Sequence, residues 1–427
     1  MNNGQTHTNL FALLDCNNFF ASCERVFNPK LWDKPVVVLS NNDGCAIARS
    51  NEAKALGIKM GQPFFEWQHL LREHKVQVFS PNFPLYGDLS SRTMAILHGW
   101  SQNVEVYSID EAFFTLNKDL IEDTETYCRQ IRDHVKKWIG MPVSIGIAKT
   151  RTLTKVANEL AKKHPEYKGV LELNNSNTEA CLKKLPVDDI WGVGRRSGAK
   201  LKAYGVETAY DLIQKSDAWI KQKLTISGLR MVYELRGTPC LEIDEADTDK
   251  KHIISSRSFG RPVEKLSELK EAVASYTARA AEKLRSQGSM ANVITVYART
   301  SHHTETYYGK SHTTILPEPT NHTPTLIKAA HAGLGKIYQP GYRYKKAGIA
   351  LSKFVPETVH QLNLFETDPD RQKKQQLLKL IDGLNLENGR HCLNFASTGF
   401  KKPWRMKQEF RSPNYTADWN QLLKIKI

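Results

Sequence analysis

No cysteine framework holds this chain together. Its seven cysteines (Cys16, Cys23, Cys45, Cys128, Cys181, Cys240, Cys392) are scattered through 427 residues, odd in number and without Cys-x-x-Cys spacing. That excludes a disulfide scaffold and a structural zinc site, and fits a reducing, cytoplasmic setting. Long apolar runs are missing too. No segment approaches the roughly 18 apolar residues of a membrane span, and the N-terminus carries no apolar signal core. Acid is in short supply: 45 Asp+Glu stand against 60 Lys+Arg, a formal net charge of +15, with no single block of like charge behind it. Positive charge spread so widely suits a large polyanion, most simply nucleic acid. The lack of a basic amphipathic helix with a bulky apolar face ranks a membrane surface low.

At this length the chain predicts two to four domains, and a hydrophobic content of 40% is enough for ordinary cores. Residues 1–9 are polar. Leu10-Phe11-Ala12-Leu13-Leu14-Asp15 then reads as a strand buried on both faces, ending in a carboxylate that packing does not require. A second apolar strand, Val36 to Leu39, runs into the turn Ser40-Asn41-Asn42-Asp43-Gly44, and residues 45–90 read as a small mixed subdomain with a helix end at Gly57.

The stretch Val106-Tyr107-Ser108-Ile109-Asp110-Glu111-Ala112-Phe113-Phe114 predicts a hairpin with its two acids near the tip. Neighbouring strand residues point to opposite faces, so two working carboxylates side by side imply a turn or bulge. Alone, such a pair reads as a solvated turn; Asp15 at another strand end is what makes it a site. After a helix over about 122–138, Val143 to Ala148 alternates large and small, a strand whose second face is closely covered. The next helix has an apolar stripe at Leu153, Val156, Ala157 and Leu160, with Lys155 and Lys162 on the opposite face.

From Leu185 to Arg196 the pattern is helix, Gly192-Val193-Gly194 hairpin, then a second helix over Ala199 to Ala203. In this helix-hairpin-helix the glycines let backbone N–H groups approach a phosphate and Arg195 and Arg196 add charge; a plain helical turn is the bland alternative. Residues 241–251 form an acidic linker, and beyond it a βαββαβ order predicts a four-stranded sheet with two helices on one face. Its open face would carry Ser256, Ser258, Arg299 and Ser301, suited to phosphate rather than base contacts. Gln361-Leu362-Asn363-Leu364-Phe365 sits in a polar tether, as a linear docking peptide would.

Three carboxylates (Asp15, Asp110, Glu111) with no His or Cys cluster favour Mg²⁺ or Mn²⁺ over zinc. Two such ions about 4 Å apart would serve phosphoryl transfer, with Lys54 and Lys162 as triphosphate neutralisers.

Asp15…Phe20, Tyr107 to Phe113, Asn41 to Arg49 and Pro186 to Arg196 together resemble the UmuC branch of the Y-family translesion DNA polymerases, from about residue 10 to the C-terminus. The resemblance implies an α+β multidomain right hand. Its ferredoxin-like palm covers 10–27 and 87–175, its small fingers 28–86 and its helix-hairpin-helix thumb 176–240. A βαββαβ little finger at 252–356 and a tail at 357–427 follow. It implies error-prone, template-directed addition of deoxynucleotides to a primer without proofreading, in the DNA-damage (SOS) response. Asp15 and Asp110 would bridge the metals with the Cys16 carbonyl, and Glu111 would lie near the primer 3′-hydroxyl. Phe20 falls at the steric gate against ribose, where the branch usually has Tyr. Lys54 and Lys162 match triphosphate ligands, and Asn51 stands where many relatives have a phosphate-binding Tyr. Residues 361–365 resemble a sliding-clamp peptide, and a processed UmuD-like dimer and RecA are partners by analogy. The location implied is the bacterial cytoplasm, on the nucleoid when bound to DNA. A non-catalytic DNA-binding scaffold and a nucleotidyl cyclase are the competing readings. The first leaves the three acids unexplained, the second the helix-hairpin-helix and the clamp-like peptide.

Overall fold

The computed structural model of the chain describes residues 9–241, 249–358, 370–389, 392–416 and 418–422. The docking peptide 361–365 and most of the linker lie outside them. The chain divides into two compact units. One comprises Met1–Ser40, Gly44–Asp247 and Phe410–Ile427, the other Asn41–Asp43 and Thr248–Glu409. The stretch 357–427, expected as one tail, is thus shared between them.

The first unit opens with β1 (Asn9–Cys16) and helix α1 (Phe19–Val26). A three-stranded sheet follows, from β2 (Val36–Leu39), β3 (Ala46–Arg49) and β4 (Gln77–Phe79), in the order β3-β2-β4. The chain then makes α2 (Phe83–His98), the hairpin β5 (Val104–Val106) and β6 (Glu111–Asn117), α3 (Thr124–Ile139) and β7 (Val143–Ala148). α4 (Arg151–Lys163) and β8 (Val170–Glu172) complete a five-stranded sheet in the order β5-β6-β1-β7-β8.

β1 is covered on both faces, as its apolar run requires. Leu10, Ala12, Leu14 and Cys16 pack with Leu85, Leu89 and Leu97 of α2 and with Cys128, Ile131 and Val135 of α3. Leu13 is equally buried on the other face, where α4 lies and Asn158 donates to the Leu13 carbonyl at 3.2 Å. The small residues of β7 let α4 come this close. A Cβ on Gly146 would fall 2.3 Å from both the Asn158 nitrogen and the Thr154 carbonyl oxygen.

After the helix Thr178–Lys184 and a turn at Val187–Asp189 comes α5 (Arg195–Lys202), then α6 (Asp217–Leu235). α5 starts at Arg195, directly behind Gly194, rather than at Ala199. Gly192 supplies the left-handed turn with φ of +92°, and Arg195 and Arg196 at the start of α5 are exposed.

The second unit runs β9 (His252–Val263), α7 (Leu266–Ser286), β10 (Ser289–Arg299), β11 (Gly309–Thr320), α8 (Thr323–Ile337) and β12 (Tyr344–Pro356). This is the βαββαβ order read from the sequence, in an antiparallel sheet ordered β11-β10-β12-β9. Leu269, Val273, Ala280 and Leu284 of α7 and Leu326, Ala330 and Leu334 of α8 bury one face. Residues of the other face line up across the strands: Arg299 pairs with Lys346 and Lys346 with Ser258, and Tyr297 pairs with Gly348 and Gly348 with Ser256. α9 (Arg371–Glu387) follows, joined to α7 by the Arg285–Asp382 ion pair at 2.7 Å.

Candidate active site

The site is one face of the five-stranded sheet, read across its register. β1 and β6 are antiparallel, with Asp15 opposite Glu111 and Leu13 opposite Phe113; Glu105 on β5 lies opposite Phe113. Since side chains alternate by two, Asp15, Glu111, Phe113 and Glu105 project to one side, the side covered by α4. Residues 107–110 make the turn. Both the Tyr107 and Ser108 amides donate to the Glu111 carbonyl, and the Cys16 amide donates to the Asp110 carbonyl at 2.9 Å. That last bond carries Asp110 to the end of β1, two strand ends away from its own hairpin partner. The Asp110 carboxylate accepts from the Ser108 hydroxyl at 2.5 Å.

α4 answers this face with polar groups at positions 151, 155, 158 and 162, the three- and four-residue spacing of a single helical stripe. Arg151 pairs with Glu105 at 2.6 Å and lies 4.2 Å over the Phe113 ring. Lys155 reaches both oxygens of Glu111 at 2.7 Å and sits 4.9 Å over Tyr107. Asn158 binds the Leu13 and Ser144 carbonyls, and Lys162 pairs with Asp15 at 2.6 Å. Lys155 and Lys162 lie opposite the apolar stripe of Leu153, Val156, Ala157 and Leu160, as their spacing predicts, and that face meets the carboxylates.

Burial, opposed by Lys162 and reinforced by Glu111, pushes the Asp15 carboxyl up to about 7. Glu111 feels burial too, but the hydrogen bond with Asp15 and the ammonium of Lys155 hold it below the usual carboxylate range. One carboxylate of the pair is therefore reluctant to ionise and the other is held ionised, the usual outcome when two acids share a confined space. Burial pushes the Cys16 thiol far up, which leaves its backbone carbonyl as the donor it can offer a cation. Among the described residues no three His, Cys, Asp or Glu side chains stand as a ready metal cage. The donors at these strand ends are all oxygens, and a desolvated carboxylate gains most from an added cation. This set fits a hard divalent ion rather than zinc.

An aromatic wall begins five residues past Asp15. Phe20 of α1 stacks on Tyr86 of α2 at 4.6 Å between ring centroids and meets Phe83 edge-on at 5.9 Å. Lys54, on the short helix Asn51–Ala55, is exposed. Partial burial and the neighbouring Arg49 and Lys162 charges lower its pKa, so it sits in a locally positive field. Asn51 accepts from the Asn18 side chain at 3.0 Å.

Family profiles match the chain in the order of these parts. The impB/mucB/samB family covers residues 14–159, its helix-hairpin-helix motif 175–206 and its C-terminal domain 250–364; a domain of unknown function covers 375–425. The chain is 44% identical to Protein UmuC of Salmonella typhimurium over 98% of its own length and all of that protein's. The chain belongs to the impB/mucB/samB family, the UmuC type of Y-family DNA polymerase. It is also 37% identical to Protein MucB of Escherichia coli, over 97% of this chain and 99% of that one. DNA polymerase IV 2 of Bacillus subtilis is 27% identical over 87% and 90%. The fold is that of a solved chimera of the Y-family polymerases Dbh and Dpo4, with a TM-score of 0.64, 20% identity and coverage of 81% and 99%. A ternary complex of Dbh DNA polymerase gives 0.55 at 19% identity, over the same shares.

In this UmuC-type chain the structure brings together Asp15, Asp110, Glu111, Cys16 and Lys162, with Phe20 in the aromatic wall. Gly192, Gly194, Arg195 and Arg196 form a separate feature in the helix-hairpin-helix. The sequence spacing puts Lys155 on the same face as Lys162 but gives it no role, and it does not single out Arg151. The signal is available: 151, 155, 158 and 162 repeat at helical spacing.

Proposed function

We propose that this UmuC-type chain is an error-prone DNA-directed DNA polymerase that extends primers across damaged templates without proofreading. The observation that carries the reading is the row of Asp15, Glu111 and Asp110 at adjoining strand ends, faced by Lys155 and Lys162. Asp15, Asp110, Glu111 and the Cys16 carbonyl would hold divalent ions, Mg²⁺ or Mn²⁺, which supply charge stabilisation and a more acidic primer hydroxyl. The chain's own residues do the rest. Lys155 keeps Glu111 ionised where a proton acceptor is useful, while Lys162 and Lys54 offer positive charge to a triphosphate. Phe20 fills the space a 2′-hydroxyl would need, discrimination by shape rather than by hydrogen bonding.

Gly192, Gly194, Arg195 and Arg196 are assigned to DNA phosphates, and the open sheet of the second unit to further backbone contacts. Residues 361–365 are assigned to a sliding clamp, and a UmuD-like dimer and RecA to a damage-response assembly in the cytoplasm.

Asp110→Ala should abolish Mg²⁺-dependent primer extension while leaving primer-template affinity near normal. Full extension by the variant would end the assignment. The lysine pairing of Asp15 and Glu111 is also what an inert, charge-compensated relic would show. A non-catalytic DNA-binding scaffold is therefore the second reading, supported if the wild-type chain binds DNA and never extends it.

A further inference from the structure

The aromatic wall behind Phe20 is built partly by the far end of the chain. Tyr86, on which Phe20 stacks, donates its hydroxyl to Glu24 at 2.7 Å. Glu24 is fully buried, and its same oxygen accepts from the Ser412 hydroxyl at 3.1 Å. Around this point residues 410–415 are fastened at several places. Ser80 and Phe410 exchange hydrogen bonds of 3.0 and 2.9 Å, and Ser80 and Arg411 form an isolated parallel bridge beside β4. Asn82, the residue that begins α2, donates to the Ser412 hydroxyl at 2.9 Å and to the Pro413 carbonyl at 3.2 Å. Tyr415 stacks on Phe27 at 4.8 Å.

These contacts converge on two elements. Glu24 is on α1, four residues after Phe20; Asn82 starts α2, which supplies Phe83 and Tyr86. The segment therefore grips both helices whose rings meet at the gate. A buried carboxylate with two hydroxyl donors is a costly thing to keep in a core, and losing one donor leaves it undersatisfied. Burial pushes Glu24 up to about 7 against the pull of Tyr86 and Ser412, so the group depends on those donors.

We propose that residues 410–415 are a working part of the sugar-selecting wall: through Ser412, Glu24 and Tyr86 they fix the ring of Phe20, making these three residues positioning residues for discrimination between deoxy- and ribonucleotides. The proposal rests on the reading of Phe20 as the gate. A displaced ring opens space for a 2′-hydroxyl without harming the deoxynucleotide's own fit, so the effect belongs in a ratio rather than in overall activity.

The test uses the full-length chain and three single variants: Ser412→Ala, Tyr86→Phe, which keeps the stacked ring and loses only the hydroxyl, and Phe20→Ala as reference. The readout is the ratio of kcat/KM for each dNTP to that for its rNTP. The same ratio is read in nucleotide affinity on a dideoxy-terminated primer, which needs no turnover. Phe20→Ala should collapse both ratios, and Ser412→Ala and Tyr86→Phe should each lower them about three- to tenfold. If Phe20→Ala collapses the ratios and the other two leave them unchanged, the gate stands and the role of the C-terminal segment is overturned. If Phe20→Ala itself leaves them unchanged, the gate reading falls and takes this proposal with it. Equal losses for both sugars in Ser412→Ala would mark a structural role and also overturn it.

Discussion

The two units each carry an antiparallel-rich sheet, and they treat its second face in opposite ways. In the second unit α7 and α8 both cover one side, and the other is left to Ser256, Ser258, Tyr297, Arg299 and Lys346. In the first unit α2 and α3 cover one side and α4 closes the other, with Arg151, Lys155 and Lys162 turned onto acids and Asn158 between them bonded to backbone carbonyls. An open polar face can grip a long polyanion at many weak points and needs little internal order. A covered face with paired charges holds a few groups in a fixed geometry at low dielectric, where each charge counts for far more. The comparison therefore predicts losses of rate at one sheet and losses of affinity at the other.

The largest expected effect is on rate. Glu111→Gln should lower primer extension about a hundredfold or more with little change in DNA binding, measured by single-turnover kinetics beside a gel-shift titration. A variant that binds DNA poorly but extends normally would erase the contrast.

Packing sharpens it next. Gly146→Ala puts a methyl group 2.3 Å from α4 backbone, which cannot yield, whereas in Gly348→Ala the methyl meets the Ser256 Cβ of β9 at 2.3 Å and the Tyr297 hydroxyl at 2.7 Å. We expect Gly146→Ala to cost about 3 kcal/mol or more and Gly348→Ala about 2 kcal/mol in urea unfolding, because the first lifts a whole helix and the second shifts only the edge strand β9 and a ring on the open face. Equal costs would mean that the second sheet's face is as tightly closed as the first.

A similar magnitude attaches to Glu24. Its folded-state pKa, about 7, is above the 4.5 of an unperturbed carboxyl. Below pH 4.5 both states hold the proton and no penalty arises. As pH rises from 4.5 to 7 the unfolded state ionises first, so stability falls, by up to about 3 kcal/mol at pH 8. Glu24→Gln should remove this loss, and the stability difference between variant and wild type should grow from pH 5 to about pH 7 and level off above it. A difference that does not vary with pH would show that Glu24 is ionised at no unusual cost.

The smallest effect is on the open sheet. Arg299→Ala should weaken DNA binding a few-fold and reduce the salt dependence by about one counterion, leaving the rate of the bound complex intact. A loss of rate instead would place the reacting groups nearer that sheet than this reading allows.

Periodic features were legible in the sequence and contacts between distant segments were not. The unbroken apolar run to Leu14 announced a strand buried on both faces, and the large–small alternation of Val143 to Ala148 announced a closely covered second face. Both follow from local geometry. The βαββαβ order emerged because each element there is long and regular. Lys155 was half visible: its spacing from Lys162 could be read, but which side of α4 faced the acids depended on the sheet. Ser412, Asn82 and Glu24 gave no signal at all. Single hydrogen bonds between residues hundreds of positions apart leave no period, and a Glu in an amphipathic helix reads as surface. Arg195 was placed in the hairpin instead of the helix because Gly194 ends the turn without a side chain to mark it.

The joining of Glu24 to Ser412 has a consequence in time. The two are 388 residues apart, so at a bacterial synthesis rate of about 5–20 residues per second the first is exposed roughly 20 to 80 seconds before the second is made. Through that interval α1 and α2 can pack, yet the acid between them lacks one of its donors. Residues made late thus close a core begun much earlier, so a nascent chain that has not reached Ser412 carries the carboxylate row without its finished wall.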